Sequence, residues 1–312
     1  MSALGKLASG PVKGRRASLS VLEARTVPAL APADGARPVK PPEGRDRAVP
    51  ARPFRDDTYA FGDSDVAARR LELLASTFAA TTQRFLRAQA ITPPALAVDL
   101  GCGPGYTTEL IRDAVHPARM IAVDISPAHV AMAAERLASD RVQAVRADVL
   151  NLPGWVTGAD IMFARLLLTH LREPRAAIEH WRQRLSPRGA LLIEEVESIA
   201  TTEPALSRYL DLQREMLAAN GHALEIGASL DAMLRGRTSL RSSRTAVFSP
   251  PATTAARMFS MNFPAWRTRR EVTARHDQDE LDTIAAALDR ICNPAASSGA
   301  ITWQLRQIVI TR

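Results

Sequence analysis

Three glycines alternate along Leu100-Gly101-Cys102-Gly103-Pro104-Gly105-Tyr106, between two segments of different periodicity. Ala95 to Leu100 is a short apolar run suited to a buried strand, whereas the residues after Gly105 repeat at helical spacing. The backbone between them has to turn sharply and leaves no side chains in the way. A ligand can therefore lie directly on the peptide groups, next to a helix N-terminus whose free N–H groups favour a carboxylate or phosphate. A dinucleotide-binding turn would read Gly-x-Gly-x-x-Gly. Here Tyr106 takes the third glycine's place, and an acid, Asp99, stands before the loop.

Further strands follow in order. Met120 to Asp124 is an apolar strand ending in an acid, and Ser126-Pro127 opens a helix running to about Ala138. Asp124 lies 19 residues beyond Gly105. In an open parallel sheet neighbouring strand ends sit side by side, so its carboxylate can accept from both vicinal hydroxyls of a ribose. Val142 to Val145 reads as a third strand and Asp160 to Arg165 as a fourth. Pro174 starts a helix bearing Ile178, Trp181 and Leu185, ended by Ser186-Pro187-Arg188-Gly189, and Ala190 to Val196 is the fifth strand. Thr201 to about Gly236 is helical. Arg241 to Phe248 is a sixth strand, Thr253 to Phe263 and Asp279 to Ile291 are helices, and Ile301 to Ile310 is a seventh strand. Upstream, order is expected from about Tyr59, with Ser64 or Asp65 capping a helix that carries Leu71, Leu74, Phe78 and Phe85 on one stripe.

The acid followed by Gly-x-Gly-x-Gly resembles the first motif of the class I S-adenosyl-L-methionine (SAM)-dependent methyltransferases, and Asp124-Ile125-Ser126-Pro127 is similar to their second. The run from Phe163 to Glu195 is similar to the equivalent region of the small-molecule branch, of the methyltransferase-11/25 kind. The resemblance is specific over Val98 to Val196. It implies a Rossmann-like seven-stranded, mostly parallel sheet with helices on both faces, the last strand antiparallel beside the fifth, and a helical lid from the insertion at about 201–236. It also implies SAM as cofactor, bound by Asp99, Gly101, Cys102, Gly103, Gly105, Asp124, Ile125, Asp148, Val149 and Arg165, with Asp148 on the adenine amino group and Val149 on its ring. The implied activity is methyl transfer to a small-molecule acceptor whose reacting atom (O, N, C or S) stays open. The Pro-Pro-Tyr and Pro-Cys motifs of nucleic-acid methyltransferases are missing after strand four, where Phe163-Ala164-Arg165-Leu166 stands.

Two side chains near that strand are catalytic candidates. His170 has an imidazole whose ordinary pKa suits proton abstraction, although packing or capping is the favoured reading. Arg165 can bind an acidic acceptor or pair with a strand-five glutamate. Acceptor specificity is expected in the two helical pieces, Tyr59 to Leu86 and 201–236, with Tyr209 and Met216 lining the pocket.

The formal charge of +7 is concentrated at one end. Residues 1–55 hold 3 Lys and 8 Arg against 4 acids, which leaves 29 basic and 29 acidic residues beyond them. Residues 1–53 also contain 8 of the 21 prolines and no aromatic residue, so 1–55 is expected to be a disordered basic tail on a methyltransferase domain of 56–312. It is read as a dispensable extension, although its composition faintly resembles a transit peptide. An RNA-modifying enzyme using that arm, and a SAM-binding protein without transfer activity, are the alternatives. With two cysteines, no apolar run of membrane-spanning length and no secretory h-region, the expected site of action is the cytoplasm. No metal site or membrane is expected, nucleic acid is disfavoured, and a homodimer stays open.

Overall fold

The computed structural model describes residues 64–89, 92–293, 295 and 299–312. The expected tail, the entry segment from Tyr59 to Asp63, and the residues between them lie outside the described residues.

Seven strands form one sheet in the order β3-β2-β1-β4-β5-β7-β6: β1 (Leu96–Leu100), β2 (Arg119–Asp124), β3 (Val142–Arg146), β4 (Ala159–Arg165), β5 (Leu185–Thr201), β6 (Leu240–Phe248) and β7 (Ile301–Thr311). The first five pair in parallel, and β7 runs antiparallel between β5 and β6. The chain reverses direction across the sheet at β1/β4, the place where open α/β sheets bind ligands beyond their strand C-termini.

Alternation along the strands divides the core. Ala97, Ile161, Phe163 and Leu192 face α1 (Asp65–Arg87) and α2 (Tyr106–Val115), meeting Phe85, Leu86 and Ile111. Val98, Met162, Leu191 and Ile193 face the other way, onto Ile178 and Trp181 of α4 (Pro174–Arg182). Trp181 is fully buried, and its indole N–H donates to Val149 O at 2.8 Å. Helix α3 (Pro127–Arg136) starts as its sequence dictates: Ser126 caps it by accepting from His129 N, and Pro127 occupies the first turn.

Two boundaries differ from expectation. Leu185 to Gly189 is not the tail of α4. Leu185 already pairs with Ala159, because the strand begins before Ser186-Pro187 and an irregularity in the pairing absorbs the proline. At its far end β5 continues past its last β4 pair, Arg165 with Glu194, and runs on against β7 alone as far as Thr201 with Ile301. The insertion at 201–236 is also two elements with different placements, not one lid. Helix α5 (Pro204–Ala219) joins a separate apolar cluster with α7 (Ala252–Trp266), α9 (Gln278–Ile291) and Phe78 of α1, beside the short α8 (Arg270–Thr273). Helix α6 (Gly227–Leu234) packs with α4 on the sheet face opposite α1, through Leu230 and Leu234. Tyr209 and Met216, expected to line a pocket, are 0% and 1% exposed and belong to the packed interior of the helical cluster.

Candidate active site

Gly101, Gly103 and Gly105 all adopt left-handed φ angles, +69°, +52° and +91°. A side chain would be strained at each, and two sites are crowded as well: a Cβ on Gly101 would lie 2.9 Å from Leu167 Cδ1, and one on Gly105 3.0 Å from Leu137 Cδ1. The loop closes on the neighbouring strand. Cys102 N donates to Val123 O at 2.9 Å, and Gly103 N donates to Asp124 Oδ2 at 2.8 Å. Asp124 Oδ1 accepts from Ser126 N at 2.9 Å. One carboxylate therefore joins the loop after β1 to the turn after β2, and each oxygen keeps a second lone-pair direction for a ligand hydroxyl. Gly105 gives α2 no side-chain cap, so its first-turn N–H groups can meet an anion.

Asp148 caps the 3-10 turn Val149–Asn151 after β3 by accepting from Leu150 N at 2.9 Å. Val149 is buried, while Ile125 and Leu150 expose 37% and 42% of their surface at this edge. Apolar side chains exposed beside a ribose-competent carboxylate suit the faces of a planar base.

Behind the loop lies a buried polar network. Thr108 Oγ1 donates to Asp99 Oδ2 at 2.7 Å, and Arg165 donates to Thr107 Oγ1 at 2.8 Å and Thr82 Oγ1 at 3.3 Å. Thr82 in turn donates to Glu194 Oε1 at 2.6 Å, and Gln307 Nε2 donates to Glu194 Oε2 at 2.7 Å. The guanidinium thus shares Thr82 with Glu194, and Glu194 and Asp99 both act on its charge. Burial pushes Asp99 up to about 7, against smaller downward pulls from Thr108 and Arg165, and raises Glu194 as well. Asp99 Oδ1 is buried with no hydrogen-bond partner. An unpaired carboxylate oxygen is costly, and a cation arriving at the loop would satisfy it.

The exit of β4 is strained. Leu166 has φ +52°, rare for a residue that carries a side chain. It is held by Leu166 N donating to Glu194 O at 3.0 Å, and by Glu195 Oε1 accepting from Leu167 N and Leu168 N at 2.7 Å each. The resulting turn lays Leu167 over Gly101 and presents His170. Burial, with His222 and Arg70 nearby, lowers His170 to about 4.

The structure brings Asp99, Gly101 to Gly105, Asp124, Ile125, Asp148 and Val149 to the C-terminal ends of β1 to β3. For two residues the structure favours one of the readings left open. Arg165 is 8% exposed and donates to Thr82 and Thr107, with Glu194 and Asp99 acting on its charge, which favours the strand-five glutamate over an acceptor as its counterpart. Burial lowers His170, which favours packing over the role of a base poised near neutrality. The sequence placed Glu194 and Glu195 at this edge without their partners, and Thr82 and Leu166 were missed. Only the Glu194-Glu195 pair at the end of an apolar strand signalled them, and it did not say which face each glutamate takes. Among the described residues there is no metal-holding group of three or more His, Cys, Asp and Glu, and no helix is long and apolar enough to cross a membrane.

Residues 97–189 match the family described as "Methyltransferase domain". Among curated proteins, the trans-aconitate 2-methyltransferase of Escherichia coli is 34% identical over 129 residues, covering 38% of this chain and 49% of that protein. The malonyl-[acyl-carrier protein] O-methyltransferase of Anoxybacillus flavithermus is 29% identical over 107 residues, 34% of this chain and 41% of the relative. The chain spans about half the length of the curated relatives it matches. Among solved structures, the YcgJ protein of Bacillus subtilis superposes with a TM-score of 0.50 at 20% identity, over 75% of this chain and 99% of its own. A proposed methyltransferase of Bacillus halodurans does so with 0.51 at 13%, over 74% and 97%. These two likenesses concern the fold alone.

Proposed function

We propose that this chain, a class I SAM-dependent methyltransferase by its matched domain and its fold, binds SAM across the glycine loop and methylates a small-molecule acceptor. One observation carries the reading: three left-handed glycines, the middle one donating to Asp124 of the next strand, have a buried, unpaired Asp99 oxygen behind them. The residues fit the cofactor's groups. Asp124 has lone pairs for the ribose hydroxyls, Asp148 and Val149 suit adenine, and Asp99 answers the cationic end. Bound SAM supplies a methyl group already activated by its sulfonium. The protein's work is then to align the acceptor and exclude water, which Leu167 and Leu71 assist by lying over the loop. The E. coli relative named for trans-aconitate supports a small-molecule acceptor. The equal basic and acidic counts beyond residue 55 favour such an acceptor over nucleic acid, and the two cysteines suit a cytoplasmic enzyme. We keep the domain boundary near residue 56.

Calorimetry is expected to show SAM or its demethylated product, S-adenosylhomocysteine, binding and NAD not binding. NAD binding without SAM binding would overturn the reading.

Binding should also depend on pH. Between about pH 4 and about pH 7 the folded chain keeps a proton on Asp99 that the unfolded chain has released, so this group's contribution to stability declines as pH rises through that window and is level above it. A cation beside Asp99 favours the ionised form. SAM affinity is therefore expected to rise with pH up to about 7 and then flatten, with a proton released on binding below that point. Titrations from about pH 5.5 to about 8.5 in buffers of different ionisation enthalpy check this. A flat affinity with no proton release detaches Asp99 from the cofactor.

A further inference from the structure

A single row of polar residues crosses the outer half of the sheet. Arg165 of β4 stands directly opposite Glu194 of β5, Glu194 opposite Gln307 of β7, and Gln307 opposite Arg244 of β6. Glu194 and Gln307 are 0% and 1% exposed, whereas Arg244 is exposed on the edge strand. Two residues further back along the same strands, the same face is apolar, with Phe163 opposite Leu192 and Leu192 opposite Val309.

Hydrogen bonds follow this row and then leave it for α2. Arg244 Nε donates to Gln307 Oε1 at 3.0 Å, and Gln307 Nε2 donates to Glu194 Oε2 at 2.7 Å and to Thr81 O at 3.4 Å. Thr82 Oγ1 donates to Glu194 Oε1 at 2.6 Å and accepts from Arg165 Nη1 at 3.3 Å. Arg165 Nη2 donates to Thr107 Oγ1 at 2.8 Å, and the adjacent Thr108 Oγ1 donates to Asp99 Oδ2 at 2.7 Å. The path has a fixed sense. A guanidinium only donates, so Gln307 has to turn its carbonyl to Arg244 and its amide to Glu194. Thr82 has one proton to give, gives it to Glu194, and keeps a lone pair for Arg165. The guanidinium is one rigid plane, so whatever holds Nη1 also directs Nη2.

Buried ionic groups add little stability over apolar residues of the same volume, so stability alone gives no reason for such a row. Its inner end gives one. Gly105 leaves α2 without a side-chain cap, and the hydroxyls of Thr107 and Thr108 tie that first turn to β4 and β1. Moving the turn would move the N–H groups that face a ligand on the glycine loop. Resting on the SAM reading above, we infer that Gln307, Glu194 and Thr82 are positioning residues for the cofactor site. They orient the Arg165 guanidinium, which in turn fixes the first turn of α2 through Thr107.

The test uses the full chain and S-adenosylhomocysteine. Calorimetry reports affinity, urea unfolding reports stability, and the amide NMR signals of Thr107 and Thr108 report the first turn of α2. Thr82→Val removes the joint at nearly constant volume and should weaken binding roughly three- to fivefold, within the range of remote coupling. Thr82→Ser keeps the hydroxyl and should bind within about twofold of the unaltered chain. Gln307→Met should also weaken binding roughly three- to fivefold, and the double variant with Thr82→Val should bind no worse than the weaker single, because both act along one path. Arg244→Met, at the exposed end, should shift the Thr107 and Thr108 signals in the ligand-free chain. It keeps the test decisive if a buried variant loses its cooperative unfolding transition. The inference is overturned if the folded Thr82→Val and Gln307→Met proteins lose stability yet bind as the unaltered chain does, which would make the row purely structural. It is overturned equally if the two effects on affinity multiply in the double variant, or if Arg244→Met leaves both amide signals in place. Failure of the unaltered chain to bind S-adenosylhomocysteine at all would strike the SAM reading itself.

Discussion

Replacing Arg165 with leucine is expected to destabilise the fold by about 3–5 kcal/mol, the cost of leaving buried charge without its partner. The guanidinium is the buried cation that acts on Asp99 and Glu194, and it donates to hydroxyls on α1 and α2. Its loss strands two carboxylates that are 1% and 0% exposed and leaves Thr107 without its donor. Urea unfolding measures the change as a shift in midpoint at constant slope. Adding Glu194→Gln to the Arg165 variant removes one stranded charge while keeping an acceptor for Thr82, so the double variant should recover part of the loss. A loss under about 1 kcal/mol in the single variant, within the range of exposed pairs, would mean that water reaches this network.

Asp124→Ala should have the largest effect on cofactor affinity that leaves the fold intact, roughly 1.5–3 kcal/mol for lost hydrogen bonds to a charged group. That corresponds to at least a tenfold weaker dissociation constant. Its carboxylate has two tasks here, accepting from Gly103 N and Ser126 N while presenting remaining lone pairs to a ligand. Asp124→Asn retains one carbonyl acceptor and should fall between wild type and alanine. Calorimetry with S-adenosylhomocysteine orders the three proteins. Equal affinity in all of them would remove Asp124 from the ribose.

The parallel half of the sheet could be read from the chain because its signals are local. Apolar runs at Leu96–Leu100 and Arg119–Asp124 end at glycines or an acid, and Ser126-Pro127 marks a helix start. The residues expected to hold the cofactor lie at those strand ends, which are neighbours by construction in a parallel sheet. What the sequence hid was side-chain direction at distance. Arg165 and Glu194 are paired residues of adjacent strands, and their partners Thr82 and Gln307 come from α1 and β7, elements far away along the chain. The helical insertion misled for a related reason. Leu210 and Leu230 have the same apolar periodicity, yet one enters the cluster above the sheet and the other packs beneath it. Periodicity gives a helix its buried face without saying what will cover that face.

The extension of β5 and β7 beyond the parallel strands has an architectural consequence. Thr201 and Ile301 face each other across the ladder, so the whole of 202–300 leaves and re-enters at a single cross-strand pair. Every residue assigned to the cofactor lies before that doorway. The segment has adjoining ends but is continuous with the sheet: its β6 pairs with β7 from Leu240 to Phe248, and its α6 packs on the face that carries α4. Lengthening or shortening the chain inside this passage therefore leaves the ends of β1 to β3 in register, whereas removing it would bare the edge of β7 that β6 covers.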